Sequence, residues 1–122
     1  MTRVNLVPAS ELCDQHLLAE HREITRIPNR LLRGGIEFKD IPQRYRLGIG
    51  HVKFFYDKTI FLKERYDGVH SECLRRGFKV SNRWPPSLKL IGQYKPTEDE
   101  VSMSRARIIE RMPKSPRFTA SQ

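Results

Sequence analysis

Thr2 is the first residue of interest, because its chemistry depends on its neighbour. Met1 precedes a small residue, and removing it would expose the Thr2 α-amine. An α-amine has a pKa near ~8, against ~10.4 for lysine, so about a tenth of it is neutral at pH 7. Arg3, Arg22 and Arg26 would depress it further, because they disfavour another positive charge. Such an amine can form an imine with an aldehyde or sugar carbon. Most N-termini do nothing of the kind, so the residue alone leaves this open.

The second feature is "HREITR", residues 21–26, where one carboxylate, Glu23, stands between Arg22 and Arg26. At about 100° per residue on a helix, Cys13, Leu17, Ile24 and Ile27 form a core face. Gln15, His16, Ala19, Arg22, Glu23 and Arg26 form a continuous polar stripe, with small Ala19 at its centre. Two readings stay open. The stripe is a solvated face with Glu23 and Arg26 paired at i, i+3, or it is a phosphate-gripping surface. Glu20 falls on the apolar side and needs a buried partner, such as an arginine from another helix. A second basic row, Ser104, Arg107 and Arg111, lies farther along the chain. Two basic helix faces in one small domain favour an extended polyanion groove.

Three helical patterns must position these residues. The first begins near Ser10 or Asp14, both good N-caps, and runs to about Ile27, where Pro28 should kink or end it. A short piece, "NRLLRGG", follows, and residues 36–50 read as irregular. The second helix starts at Asp57, with Leu62, Tyr66, Val69 and Cys73 as its apolar stripe. Gly77 is its C-cap, followed by a Phe78 contact. Residues 79–95, with "WPP", read as loop. "TEDE" is a capping box with Thr97 as N-cap and Glu100 three residues on. The third helix runs from there to Met112, with Val101, Ile108 and Met112 on its buried side. Residues 113–122 read as a polar, mobile tail. The expected class is all-α: one compact domain of three main helices with long ordered loops.

The 122 residues suffice for one core. Lys and Arg number 23 against 14 Asp and Glu, a net charge of +9 that favours polyanions. No apolar run approaches the ~18 residues that span a membrane, and no signal-peptide core is visible. A soluble cytoplasmic protein is expected. Cys13 and Cys73 do not make a disulfide framework and read as small buried hydrophobes. The four histidines are scattered, without metal-ligand spacing.

"MTRVNL", "SELCDQHLLAEHREITR", "GHVKFFYDK" and "ECLRRGF" closely resemble the pyrimidine dimer DNA glycosylase/AP lyase family. The similarity continues weakly through "GQY-P" and "SMSRARIIERM" and covers about residues 1–112. It implies an all-α domain whose N-terminal segment is threaded between helices. The implied activity is excision of the 5′ pyrimidine of a cyclobutane dimer in bent duplex DNA, with a base opposite the lesion flipped out. The residue matching Thr2 supplies the α-amine that attacks C1′, and β-elimination then nicks the strand. Glu23 matches the catalytic acid. Arg3, Gln15, Arg22 and Arg26 match residues holding phosphates and the lesion sugar. Arg107 and Arg111 would extend that grip, and His16 would support it. The resemblance implies a monomer that needs double-stranded damaged DNA and no metal or other cofactor.

Three departures stand out. A phage member of the family carries proline where Thr25 stands, and the segment between the first two motifs is shorter here. The aromatic-rich tail of that member is replaced by "PKSPRFTASQ", with Phe118 its one aromatic. Two alternatives therefore accompany the main expectation: a related lyase or glycosylase for abasic sites or ring-opened purines, and a non-catalytic basic DNA-binding protein.

Overall fold

The computed structural model describes residues 2–120, and all regular structure among them is helical. Five helices follow a single 3-10 turn at Ala9–Glu11: α1 (Asp14–Glu23), α2 (Arg26–Leu32), α3 (His51–Phe54), α4 (Thr59–Arg75) and α5 (Glu98–Glu110). α1, α4 and α5 are the three main helices expected from the sequence. Long segments connect them, including residues 33–50 and 76–97.

α1 lies antiparallel along α4. Buried ion pairs at both ends fix the register: Asp14 with Arg76 at 2.9 Å, and Glu20 with Arg65 at 2.7 Å. Between them the apolar stripes close. Cys13, Leu17 and Ile24 on one side, and Leu62, Tyr66, Val69 and Cys73 on the other, are at most 1% exposed. Burying side chains of this size stabilises by about 1.5–3 kcal/mol each. Glu20 has the arginine partner that its place on the apolar face demanded. Burial pushes the Cys73 thiol up to about 11, in keeping with an inert core cysteine.

The N-terminal segment is threaded between these helices as extended chain. Its side chains alternate, as extended backbone requires. Val4 and Leu6 join an aromatic core with Tyr45, Phe54, Phe55 and Trp84. Val7 joins a second core with Leu12, Leu17 and Val69. Each backbone N–H from Val4 to Leu6 donates to a different element: Val4 to His51 Nε2 of α3 (2.9 Å), Asn5 to Glu20 Oε2 of α1 (3.4 Å), and Leu6 to Ser104 Oγ of α5 (3.0 Å). An extended segment with no neighbouring strand must find its partners in side chains, and here three helices supply them.

α5 begins at the expected capping box. Glu100 N–H donates to Thr97 Oγ1 and Thr97 N–H donates to Glu100 Oε1. Glu100 also accepts from Tyr45 N–H and Tyr94 O–H, so one buried carboxylate ties the helix start to two long loops. α4 ends at Arg75 with Arg76 as its C-cap, one residue before the expected Gly77, whose left-handed φ of 88° turns the chain away so that Phe78 N–H reaches back to the Cys73 carbonyl.

Several expectations need correction. The first helix breaks at Ile24–Thr25 rather than at Pro28. A proline ring clashes with the carbonyl four residues earlier, here Ile24, so the chain breaks there and Pro28 falls in the first turn of α2. Neither Ser10 nor Asp14 caps α1. The cap position is Cys13, and Asp14 spends its carboxylate on Arg76 and Thr119. α4 starts at Thr59 rather than Asp57. The one-turn helix α3 had no sequence signal beyond the left-handed Gly50 before it. Met112 is exposed and Val101 only half-buried. Ser104 is fully buried and belongs to the fold rather than to a basic row.

The tail is also tied down. Asp14 N–H donates to Arg117 O (2.7 Å), and Thr119 donates from backbone and hydroxyl to the Asp14 carboxylate. Residues 113–120 thus lie against the start of α1, while residues 121–122 fall outside the described chain.

Candidate active site

His16, Ala19, Glu20 and Glu23 recur at helical spacing along one side of α1 and form a wall of a cleft of about 170 Å³. Arg3 and Asn5 of the threaded segment form the facing wall, and Ile108 of α5 contributes an apolar patch. Ala19, expected at the centre of the polar stripe, is the small residue that leaves this space. Thr2 is half-buried and bonded to Arg3, so its Cα lies about 3.8 Å from that of a residue lining the cleft. Removal of Met1, which would free its amine, concerns a residue outside the described chain.

Glu23 forms no ion pair among the described residues. The solvated-face reading paired Glu23 with Arg26; the two stand on either side of the turn at Ile24–Thr25, and no such pair forms. Arg22 and Arg26 are exposed and do not line the cleft. Arg22 immediately precedes Glu23 in α1, and Arg26 is the first residue of α2.

Arg3 is held below its ordinary pKa first by partial burial, then by the positive fields of Arg107 and Arg111. Glu23 acts on it in the opposite sense. The threaded segment, α1 and the C-terminal end of α5 therefore bring three cations within electrical reach of one another, with Glu23 beside Arg3. Arg107 and Arg111 lie only loosely against Glu110, at 3.9 Å each, which leaves their charge available to a polyanion.

His16 Nε2 lies 3.0 Å from the Arg111 carbonyl. A carbonyl only accepts, so Nε2 carries the hydrogen, and in the neutral ring Nδ1 is an acceptor. That atom is buried and has no partner. Gln15 is not brought to the cleft. Its Nε2 donates to Ser115 O (2.9 Å) and its Oε1 accepts from Arg117 N–H (3.1 Å).

Sequence reasoning passed over Asn5 and His51. Asn5 was legible as the one polar residue in the apolar run "VNLV". His51 holds the threaded segment from outside the cleft. Its Nδ1–H donates to Arg46 O (2.8 Å), which leaves Nε2 to accept from Val4. Burial lowers its pKa below the usual histidine value, opposed by the Arg46 hydrogen bond. Among the described residues no group of three or more His, Cys, Asp or Glu side chains could hold a metal ion.

A single helical domain, strongly basic, whose cleft joins Arg3 to two carboxylates, Glu20 held by Arg65 and Glu23 without an ion pair among the described residues, has the character of a small enzyme acting on nucleic acid. The family model described as pyrimidine dimer DNA glycosylase matches residues 1–86, more than half of the chain. The protein belongs to this family, whose members act in DNA repair. The match includes the threaded segment and α1 through α4, and stops before α5.

Proposed function

We propose that this protein excises the 5′ pyrimidine of cyclobutane pyrimidine dimers in duplex DNA and then nicks the strand at the resulting site. The observation that carries the reading is the cleft in which Arg3, next to Thr2, faces Glu23.

With Met1 removed, the neutral Thr2 amine attacks C1′. The C1′–N bond to the base breaks, and the base leaves with that electron pair and takes up a proton. The amine's second proton and lone pair allow ring opening: C1′=N forms, the C1′–O4′ bond breaks, and O4′ gains a proton. Loss of a proton from C2′ then expels the 3′ phosphate, and the strand is cut. Glu23 stabilises positive charge at the sugar as the base departs and carries protons between these steps. Arg3, Arg107 and Arg111 hold phosphates beside the cleft, and Arg22 and Arg26 hold them at its acidic end. His16 braces the sugar from α1. Gln15 acts through the tail it grips. The protein works as a monomer without a cofactor.

The exposed tail, with Phe118 as its one aromatic residue, favours a second reading in which abasic sites or ring-opened purines are the preferred substrates. Single-turnover cleavage of duplexes carrying one dimer, one abasic site or one ring-opened purine separates the two. The main reading expects dimer cleavage that Glu23→Gln abolishes. No cleavage of dimer duplex by protein with a free Thr2 amine overturns it.

A further inference from the structure

Asn5 is 5% exposed and lines the cleft, and its Oδ1 is buried without a hydrogen-bond partner. Leaving an acceptor buried and unpaired costs about 1–3 kcal/mol, so a fold that keeps one beside a cleft has a use for it. The amide cannot turn over to relieve the cost. Its Nδ2 donates to Glu20 Oε1 at 2.8 Å, and a flipped amide would set Oδ1 against that carboxylate. Glu20 cannot move away, because Arg65 holds both its oxygens at 2.7 and 2.9 Å. A buried chain, Arg65 to Glu20 to Asn5, therefore fixes an acceptor in the wall of the cleft. His16 Nδ1, on the α1 side of the cleft, is also buried without a partner. Asn5 Oδ1 can only accept, so it calls for a ligand group that donates, while the buried, unpaired Arg107 Nε nearby calls for one that accepts.

We propose that Asn5 is a further catalytic residue, whose Oδ1 accepts a hydrogen bond from the 4′-hydroxyl released when the deoxyribose ring opens on the Thr2 amine. The inference rests on the imine reading above. A deoxyribose within intact DNA has no hydrogen-bond donor: O3′ and O5′ are esterified and O4′ is an ether. Ring opening moves the C1′–O4′ electron pair onto O4′, which takes up a proton and becomes the one sugar donor. The contact thus exists after the ring has begun to open and not before, which is how an interaction speeds a step rather than merely tightening binding.

The test uses full-length protein with a free Thr2 amine and compares wild type with Asn5→Ala and Asn5→Ser. Serine keeps a small polar side chain beside Glu20 but lacks the amide acceptor, so it decides the matter if the alanine variant does not fold. Single-turnover cleavage of abasic duplex should slow about tenfold in the folded variants, the scale of one lost hydrogen bond. Affinity for duplex containing tetrahydrofuran, whose ring cannot open, should stay within about twofold of wild type. Wild-type cleavage rates in either variant would overturn the proposal, as would an equal loss of tetrahydrofuran affinity. A defect seen only on dimer duplex would overturn it too, because the donor would then belong to the base. If wild type itself fails to cleave abasic duplex, the imine reading has failed rather than the role of Asn5.

Discussion

Arg65 of α4 donates to both oxygens of Glu20 on α1, and its remaining nitrogen donates to the Val7 carbonyl of the threaded segment. One guanidinium thus fastens the wall of the cleft, the helix behind it and the segment leading to Thr2. Glu20 is 2% exposed. Breaking a buried pair from one side strands a charge, at about 3–5 kcal/mol. Arg65→Ala should lose stability on that scale in urea denaturation, and Glu20→Gln should lose less, because a neutral amide still accepts from arginine. Equal, small losses would show that the pair does not organise the site.

The loop before α5 depends on a close backbone approach. Gly92 has φ +74°, and a β-carbon there would lie 1.8 Å from the Asp57 carbonyl oxygen. Thr59 anchors the same loop: its hydroxyl accepts from Ile91 N–H, and Ile60 N–H donates to Ile91 O. Gly92→Ala should cost about 2 kcal/mol or more in thermal or urea unfolding. An unchanged midpoint would refute the approach.

Stability should fall with acid in two stages. Burial lowers the folded pKa of His21 and of His51 below 6.5, with His70 and Arg83 adding to the effect at His21. The unfolded chain then binds more protons between the folded pKa and about 6.5, so stability is full above that window and drops as pH falls through it. Asp14, Glu72 and Glu100 are held below 3.8, 4.5 and 4.5 by hydrogen bonds that outweigh burial. Their contribution is present above these values and is lost as pH falls further. Urea midpoints between pH 8 and 3 should show both stages. His51→Asn, which can still accept from Val4 N–H, should shrink the first.

How far these relationships were legible in the sequence follows the range over which each is decided. The apolar stripes of α1 and α4, the capping box at Thr97 and the stop at Gly77 are set within a few residues, and all were readable. The need for a partner at Glu20 was readable too, although not the identity of Arg65, which lies 45 positions away. Pro28 was misplaced because its effect acts four residues upstream, at a carbonyl. Ser104 read as part of a surface row because spacing cannot tell a buried hydroxyl serving Leu6 from an exposed one. The tail read as mobile because its anchor, Asp14, looks like a helix cap when only local sequence is considered.

That anchoring has its own signature. The Asp14 amide proton is bonded to Arg117 O, and the Thr119 amide proton to Asp14 across 105 positions of sequence, so both should be protected in hydrogen exchange. Truncation after Met112 should speed exchange at Asp14 while leaving the middle of α4 protected. Rapid exchange at Thr119 in the full chain would mean a mobile tail.

Binding to undamaged duplex should weaken steeply with salt. Replacing Arg22 or Arg26 by Gln should each lower the slope of log K against log salt by about 1. Unchanged slopes would remove these exposed arginines from the interface.

The central claim is that the Thr2 amine attacks the sugar in a cleft served by Glu23. Its most direct measurement is borohydride trapping on dimer-containing duplex with protein lacking Met1, followed by mass analysis of the cross-linked peptide. The account predicts a reduced adduct on the Thr2 nitrogen, absent when Met1 is retained. No adduct from protein with a free Thr2 amine, or an adduct on a lysine instead, would contradict it.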